Sequence, residues 1–367
     1  MQGNYLDIPC WETGWPEETR KWRGHIYDLA ALKFVARPMD KFFKYMDLPE
    51  INEDYFNKLL KQAKNANLVE KIDGTLIIVW YDRYGSGTWR CSTRGMIDFK
   101  KDLLPAQLNY HDEATKYLRR SQFYRVVMNP IKAMLMDYTF SFELLHPDNR
   151  IVSKYSDKEY GMYLISVRDT EDGTELTQSI VNRLAKEMQV KSPKTYPIKA
   201  GKNELDRILK QKAEHTSDTI DEGFVARFDL ECGTTERIKF INDQYLSLKW
   251  IYSAASDNYY LQHLKEGQFH SMVELLPDDL KNDARKLYSK YVDLKAQIIE
   301  IAEKVKKLHT PGSIEFYTYV QENYNNIFTP FICSTAKGNT DFRKHIKMKH
   351  LTNSIYYIGY NKTNGNV

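Results

Sequence analysis

The tetrapeptide Lys71-Ile72-Asp73-Gly74 places an amine, a carboxylate and a flexible residue within four positions. Leu68-Val69-Glu70 precedes it and the apolar run Leu76-Ile77-Ile78-Val79-Trp80-Tyr81 follows, so the lysine falls at a turn between two buried strands. Partial desolvation and neighbouring cations can free such an amine for covalent attack. Taken alone, the tetrapeptide reads better as a surface hairpin lysine. Four further segments share its chemistry: Lys21-Trp22-Arg23-Gly24, Ala36-Arg37-Pro38-Met39-Asp40-Lys41-Phe42-Phe43-Lys44, Tyr138-Thr139-Phe140-Ser141-Phe142-Glu143-Leu144, and Asp221-Glu222-Gly223-Phe224-Val225-Ala226-Arg227 followed by Ile238-Lys239-Phe240. Strand alternation puts Glu143 on one face with Thr139 and Ser141, opposite Phe140 and Phe142. Such a carboxylate is either solvated or accepts a hydrogen bond from a ligand hydroxyl. Glu222 opens a strand beside Gly223, where backbone can approach a ligand closely. Lys239 points away from the apolar face, toward solvent or a phosphate. Together these residues supply what nucleotidyl transfer needs: an amine to attack phosphorus, cations to offset phosphate charge, and carboxylates for a divalent metal.

These groups lie far apart in sequence, so a fold must converge them. Strand-like runs fall at 31–36, 75–81, 88–92, 138–145, 161–167, 223–229 and 237–241. Asp82-Arg83-Tyr84-Gly85-Ser86-Gly87 reads as a hairpin turn. Helical patterns occupy 51–64, 111–120, 177–189 and 203–213. Strands outnumber helices and hairpins join several of them, which predicts an α+β fold with an antiparallel sheet. After about residue 250 the pattern turns helical. Leu287, Tyr291, Leu294, Ile298, Ile301, Val305 and Leu308 recur at three-and-four spacing up to Thr310-Pro311-Gly312, predicting a long amphipathic helix. The expected division is a first domain over 1–250 and an all-helical second domain over 251–367. Within the latter, residues 335–367 carry Arg343, Lys344, Lys347 and Lys349 against one acid, Asp341. They read as a basic tail, either solvated or touching phosphates.

The bulk numbers narrow the classes. A chain of 367 residues with 42% hydrophobic and 28% charged content has the composition of a soluble globular protein. A formal net charge of +4 is too small to establish nucleic-acid binding, and most of the 26 tyrosines belong in a core. Cys10, Cys91, Cys232 and Cys333 are widely spaced with no CxxC pair, which argues against structural zinc and for a reducing compartment. No apolar run spans a bilayer and the N-terminus lacks signal-peptide regions, so the expected location is cytoplasmic, of the cell or of an infected host.

The order of these segments resembles the covalent nucleotidyltransferase superfamily, and within it the phage-type RNA ligase 1 family that repairs broken tRNA. The order runs Arg-Gly, Arg-Pro-Met-acid-Lys-Phe-Phe, Lys-x-Asp-Gly, Phe-x-Phe-Glu, Asn149-Arg150-Ile151-Val152, Glu-Gly-aromatic-Val-Ala, then a lysine on the last strand. The match covers roughly residues 20–250. It implies an antiparallel-sheet, ATP-grasp-like ligase domain followed by a helical C-terminal domain. It implies that Lys71 is adenylated by ATP, with Lys239 on the α-phosphate as the second catalytic group. Arg23, Lys41, Phe43, Glu70, Gly74 and Arg94 would surround the nucleotide, Glu143 would bind the ribose hydroxyls, and the Met162–Ile165 strand would lie near the base. Glu222 with Asp73 would position magnesium or manganese. The implied substrate is RNA with 5′-phosphate and 3′-hydroxyl ends, such as a cleaved tRNA. DNA ligases, capping enzymes and a non-catalytic RNA-binding relative are the rival classes. Two departures stand out. Where the family usually has two lysines separated by one residue, this chain has Lys239-Phe240-Ile241, so one phosphate contact is missing or Lys249 or another cation supplies it. The region before Arg23 is short, so part of the usual opening sheet is expected to be absent or rebuilt.

Overall fold

The alternating, β-branched segments of the first 249 residues build three sheets, and these carry the polar groups inward. The computed structural model describes residues 2–4, 15–97, 109–199, 203–213 and 221–352. The chain forms two compact units, Met1–Lys249 and Trp250–Val367.

In the first unit, β1 (Gln2–Asn4), β2 (Arg23–Asp28) and β3 (Lys33–Ala36) make a small antiparallel sheet in the order β1-β2-β3. A five-stranded sheet has the order β10-β5-β11-β12-β4, with β4 (Phe43–Lys44), β5 (Ala63–Glu70), β10 (Thr195–Pro197), β11 (Gly223–Leu230) and β12 (Thr235–Ile241). A four-stranded sheet has the order β7-β6-β8-β9, with β6 (Thr75–Tyr81), β7 (Trp89–Thr93), β8 (Tyr138–Leu145) and β9 (Gly161–Asp169). Pairing is antiparallel except for the two-residue contact of β4 with β12. The expected α+β class with antiparallel sheets is what forms, and the seven anticipated strands are present.

Five strands, β1, β2, β4, β5 and β10, lie outside the strand-like runs anticipated from sequence. Arg23-Gly24-His25-Ile26-Tyr27-Asp28 mixes charge with apolar residues, yet forms β2 because Ile26 packs on Ile78 and Trp80 of the neighbouring sheet. The helix expected to reach residue 64 is α2 (Glu53–Gln62, after α1 at Glu17–Lys21), and Ala63 already begins β5. Asn52 starts α2 by accepting the Tyr55 amide. The remaining helices of this unit are α3 (Tyr110–Arg120), α4 (Phe123–Val127), α5 (Gln178–Met188) and α6 (Glu204–Ala213).

Each large sheet is backed by helices on one face only. Phe56 and Leu59 of α2 and Ile208 of α6 pack on Leu68, Ala226, Phe228 and Phe240 of the five-stranded sheet. Leu118, Phe123, Val181 and Met188 from α3–α5 pack on Phe140, Phe142 and Val167 of the four-stranded sheet. On the opposite face of the four-stranded sheet Ile78 and Trp80 pack on Ile26, Val35 and Ala36 of the small sheet, and the remaining alternate residues line the space between the large sheets.

Helix α7 runs from Asp243 to Ala254, and the second unit is otherwise helical: α8 (Asp257–Glu266), α9 (Phe269–Leu275), α10 (Asp278–Lys306), α11 (Ile314–Asn323), α12 (Thr329–Ala336) and α13 (Met348–Thr352). The long helix begins nine residues before the anticipated Leu287, directly after Pro277, and buries Leu287, Tyr291, Leu294, Ile298 and Val305. Leu308 lies beyond its end and is exposed, while Ala302, one residue after the anticipated Ile301, is fully buried. Residues 335–352 are not a tail: Phe342, Ile346 and Leu351 are buried in the helical core, and Arg343 pairs with Asp341. Residues 353–367 fall outside the described residues.

Candidate active site

The faces of the two large sheets turned away from the helices contribute to the lining of a cavity of about 500 Å³. Seven of the eleven residues expected from sequence line it: Arg23, Glu70, Lys71, Gly74, Arg94, Glu143 and Lys239. Strand pairing brings them together. β5 runs antiparallel to β11 with Glu70 opposite Phe224, and β11 pairs with β12 with Val225 opposite Lys239. In the other sheet, β6 pairs with β8 with Leu76 opposite Glu143.

Lys71 sits where β5 has just ended. Its backbone N–H donates to the Gly223 carbonyl at 2.8 Å, and its Nζ donates to Glu222 Oε2 at 2.6 Å. The nucleophile candidate is therefore held at both ends by residues 222–223. Gly223 has φ of +123° and lies against β12, a conformation and spacing that exclude a side chain. Gly74 is required for a different reason: a Cβ there would stand 2.5 Å from the Leu144 carbonyl oxygen.

Glu222 does not line the cavity itself but reaches it through Lys71, and its second oxygen is 3.9 Å from Lys249 Nζ. Lys249 is thus near the site, and Ile241, in place of the family's second lysine, is buried. Glu143 stands in the cavity wall. Burial, helped by the Glu222 and Asp73 carboxylates and opposed by Lys71 and Arg23, pushes it up to about 7. Thr139 and Ser141, its companions on β8, are buried rather than solvated. Lys239 Nζ lies 4.6 Å from the centre of the Phe42 ring. Burial and the nearby Lys71, Arg23 and Lys41 charges lower it to about 7. Arg23 Nη1 is buried with no hydrogen-bond partner among the described residues. A buried guanidinium nitrogen without a partner, beside a lysine of lowered basicity, suits an anion.

Three expectations are corrected. Asp73, expected to hold metal, does not line the cavity: Oδ1 accepts from Tyr245 at 2.5 Å, and Oδ2 accepts from the Val152 and Ser153 amides at 2.9 and 2.8 Å. The carboxylate is buried and takes three hydrogen bonds, so it braces the turn that carries Lys71. Phe43 belongs to the core beneath α2, edge-on to Trp15, and does not face the cavity. Phe42 lines it instead, because adjacent strand residues point to opposite sides. Lys41 also lies off this cavity, its ammonium 4.7 Å from the Trp15 ring centre.

The sequence reading assigned no role to Arg227, Arg237 or Gln178, which line the inner part of the cavity. Arg227 and Arg237 are cross-strand partners. Arg237 forks onto Glu175, and Glu175 also accepts from Ser166 Oγ at 2.7 Å, so one carboxylate ties the two sheets together. Arg227 is held by Asp229 at 2.8 Å and by Gln178 at 3.3 Å. Arg227 was visible in the Glu-Gly-Phe-Val-Ala-Arg segment, but its partners come from distant elements. The Asn-Arg-Ile-Val segment gains a physical account as well. Asn149 donates to Thr75 Oγ1 and accepts from Tyr110, both cavity residues, and Val152 helps to hold Asp73.

The model of the phage-type RNA ligase 1 family, described as RNA ligase, matches residues 21–261, more than half of the chain. The chain belongs to that family. Among curated relatives, the RNA ligase of Rhodothermus phage RM378 is 26% identical over 329 residues, covering 76% of this chain and 72% of that protein. A protein of Autographa californica nuclear polyhedrosis virus, named as a bifunctional polynucleotide kinase/RNA ligase, is 31% identical over 158 residues, 41% of this chain. This chain spans only 22% of that viral protein's length. Among solved structures, an archaeal ATP-dependent RNA ligase aligns with a TM-score of 0.40 and 14% identity, over 64% of this chain and 52% of that one. No helix among the described residues is long and apolar enough to cross a membrane.

Proposed function

We infer that this member of the family is an ATP-dependent RNA ligase that joins 5′-phosphate to 3′-hydroxyl ends through a lysine–AMP adduct. The observation that carries the reading is the placement of Lys71, hydrogen-bonded to Glu222, in one cavity with Glu143 and Lys239. Residues Met1–Lys249 are the adenylyltransferase part. In the first step the Lys71 amine, its proton lost, attacks the α-phosphorus of ATP. A nitrogen–phosphorus bond forms and the bond to the pyrophosphate oxygen breaks. Arg23 and Lys239 face the phosphates, and a phosphate oxyanion restores full charge to Lys239. Glu143 accepts from the ribose hydroxyls when ionised. AMP then passes to the RNA 5′-phosphate, and a 3′-hydroxyl displaces it. The donor set fits a hard divalent cation such as magnesium or manganese held by Glu222 with substrate phosphate oxygens, which would supply charge neutralisation for the departing pyrophosphate.

Support for RNA comes from the family and from the named activities of the phage and baculovirus relatives. A cleaved tRNA anticodon loop is the substrate suggested by the sequence resemblance. The free thiols of Cys91, Cys232 and Cys333 fit work in a reducing cytoplasm. The test is incubation with α-labelled ATP and magnesium, followed by sealing assays on 5′-phosphorylated single-stranded RNA, a nicked RNA stem-loop, DNA and nicked duplex. The reading requires a labelled protein band and sealing of RNA ends. A band with GTP in place of ATP, or sealing confined to DNA, overturns it.

A further inference from the structure

Two more cavities of the first unit lie in series with the lysine cavity. The middle one, of about 540 Å³, shares Phe42 and Arg237 with it. Its lining holds six cations against four carboxylates. Several of the carboxylates are already engaged: Asp40 by Arg168, Glu175 by Arg237, and Glu236 by the Tyr55 hydroxyl. Arg20 pairs with Glu50 at 3.3 Å just outside the lining, and the lining as a whole, with Arg20, Lys21, Arg37 and Lys41 on one side, keeps a modest excess of positive charge. The far cavity, of about 490 Å³, is aromatic, lined by Tyr27, Phe34, Tyr81 and Tyr84. Its two cations are matched locally, Lys33 by Glu171 and Arg83 by Asp137, and Asp169 adds a third carboxylate to the lining. A single side chain marks the passage between them. Arg37 lines the middle cavity, its guanidinium lies 5.2 Å from the centre of the Phe34 ring, and its Nη1 donates to the Glu171 carbonyl at 2.8 Å. Strand β6 connects the two ends of the series, with Leu76 at the lysine cavity and Tyr81 at the aromatic one. Five residues of extended chain set these ends about 16 Å apart, about five nucleotides at the ~3.4 Å axial rise of one stacked strand.

We propose that this series is a track for single-stranded RNA: phosphates pass over the Arg20, Lys21, Arg37 and Lys41 segment, and an unpaired base stacks in the Tyr27–Phe34–Tyr81–Tyr84 cavity. Cations that follow a backbone, interleaved with aromatic faces that accept any base, are the physical means of holding a single strand without reading its sequence. Local neutralisation of Lys33 and Arg83 leaves the far cavity suited to a base rather than a phosphate. The inference rests on the ligase reading and adds to it a contact remote from the lysine.

The experiment uses the full chain and 5′-phosphorylated oligoribonucleotides of about three and about twelve nucleotides, with affinity read by fluorescence anisotropy. Tyr84 is the residue to change because it is 46% exposed on a hairpin turn, where truncation spares the core. Tyr84→Ala is expected to weaken the longer strand roughly tenfold, the size of one lost base–aromatic stack. It should leave the short strand and the ATP labelling of Lys71 unchanged, and Tyr84→Trp should restore the longer strand. Equal loss for both lengths, or none, with labelling intact overturns the track and leaves the ligase reading standing. Absence of labelling in the unaltered protein overturns the ligase reading and the track with it.

Discussion

The interiors of the two units are built on opposite principles. Between the sheets of the first unit lie Arg227, Arg237, Glu175, Asp229, Glu222 and Asp73, all buried and charged. The second unit buries Leu261, Leu287, Leu294, Ile298, Val320, Ile332 and their neighbours, and its helical ion pairs Lys281–Asp278, Lys286–Asp283 and Lys304–Glu300 lie at the surface. Charges inside a fold cost desolvation that their pairing only partly offsets, so an interior made for stability alone would not contain them. The first unit accepts that cost because a site for a polyanionic nucleotide needs fixed cations away from water. The second has no such interior demand and is held by apolar burial at helical spacing.

Substitutions test how deep this contrast runs. The largest effect is expected from Lys71→Ala, which should remove the labelled adduct with ATP altogether and, by leaving buried Glu222 with Lys249 alone beside it, lower the melting temperature without unfolding the protein. A persisting band would move the chemistry elsewhere. Glu143→Gln comes next. Glu143 titrates at about 7, so ribose binding by its ionised form should weaken in the wild type as pH falls below 7. In the variant the KM for ATP should be raised roughly tenfold above pH 7, the order of one charge-assisted hydrogen bond, and should no longer rise as pH falls, since Lys239, which gains charge in the same range, then titrates alone. A KM in the variant that still rises on acidification would deny Glu143 this role.

Glu175→Ala should lower stability by about 3–5 kcal/mol, since it strands Arg237 and leaves Arg227 with one carboxylate fewer. Its acid dependence has a definite sign. Arg237 and Arg227 hold the folded-state carboxyl at about 2 against burial, below the ordinary 4.5. Its contribution is therefore complete above about 4.5 and is lost as pH falls toward 2. Thermal melts from pH 7 to pH 3 should show Glu175→Gln less sensitive to acid than the wild type, and parallel curves would refute the assignment. On the apolar side, Leu294→Ala should cost about 2–5 kcal/mol by leaving a cavity, with no dependence on pH. At the bottom of the scale, Lys304→Ala should leave the melting temperature unchanged, because exposed i, i+4 pairs contribute little.

Much of the site is written locally. Lys71 and Gly74 adjoin in sequence, and Glu143 and Lys239 each sit on a strand whose period-two pattern declares the inward face. What alternation could not supply was the choice between Phe42 and Phe43, because β4 is only two residues long and its register comes from pairing with β12. Asp73 shows the same limit. A carboxylate beside a nucleophile looks like a metal ligand until three donors from distant segments, Tyr245, Val152 and Ser153, occupy its oxygens. Arg23 lay on a strand with no clear period, legible only once Ile26 was seen packed on the next sheet.

By itself the sequence determined the α+β class, the helical character after residue 250, and which side chains are chemically able to attack, bind phosphate or accept from a sugar, because periodicity and residue type are properties of a chain segment. Tertiary structure alone decided which carboxylates remain available and which are consumed as braces, how far burial drives Glu143 and Lys239 from their ordinary protonation, and that Glu175 ties one sheet to the other. Those outcomes depend on neighbours far away in sequence, and a buried charge has no fixed behaviour until its partners are in place.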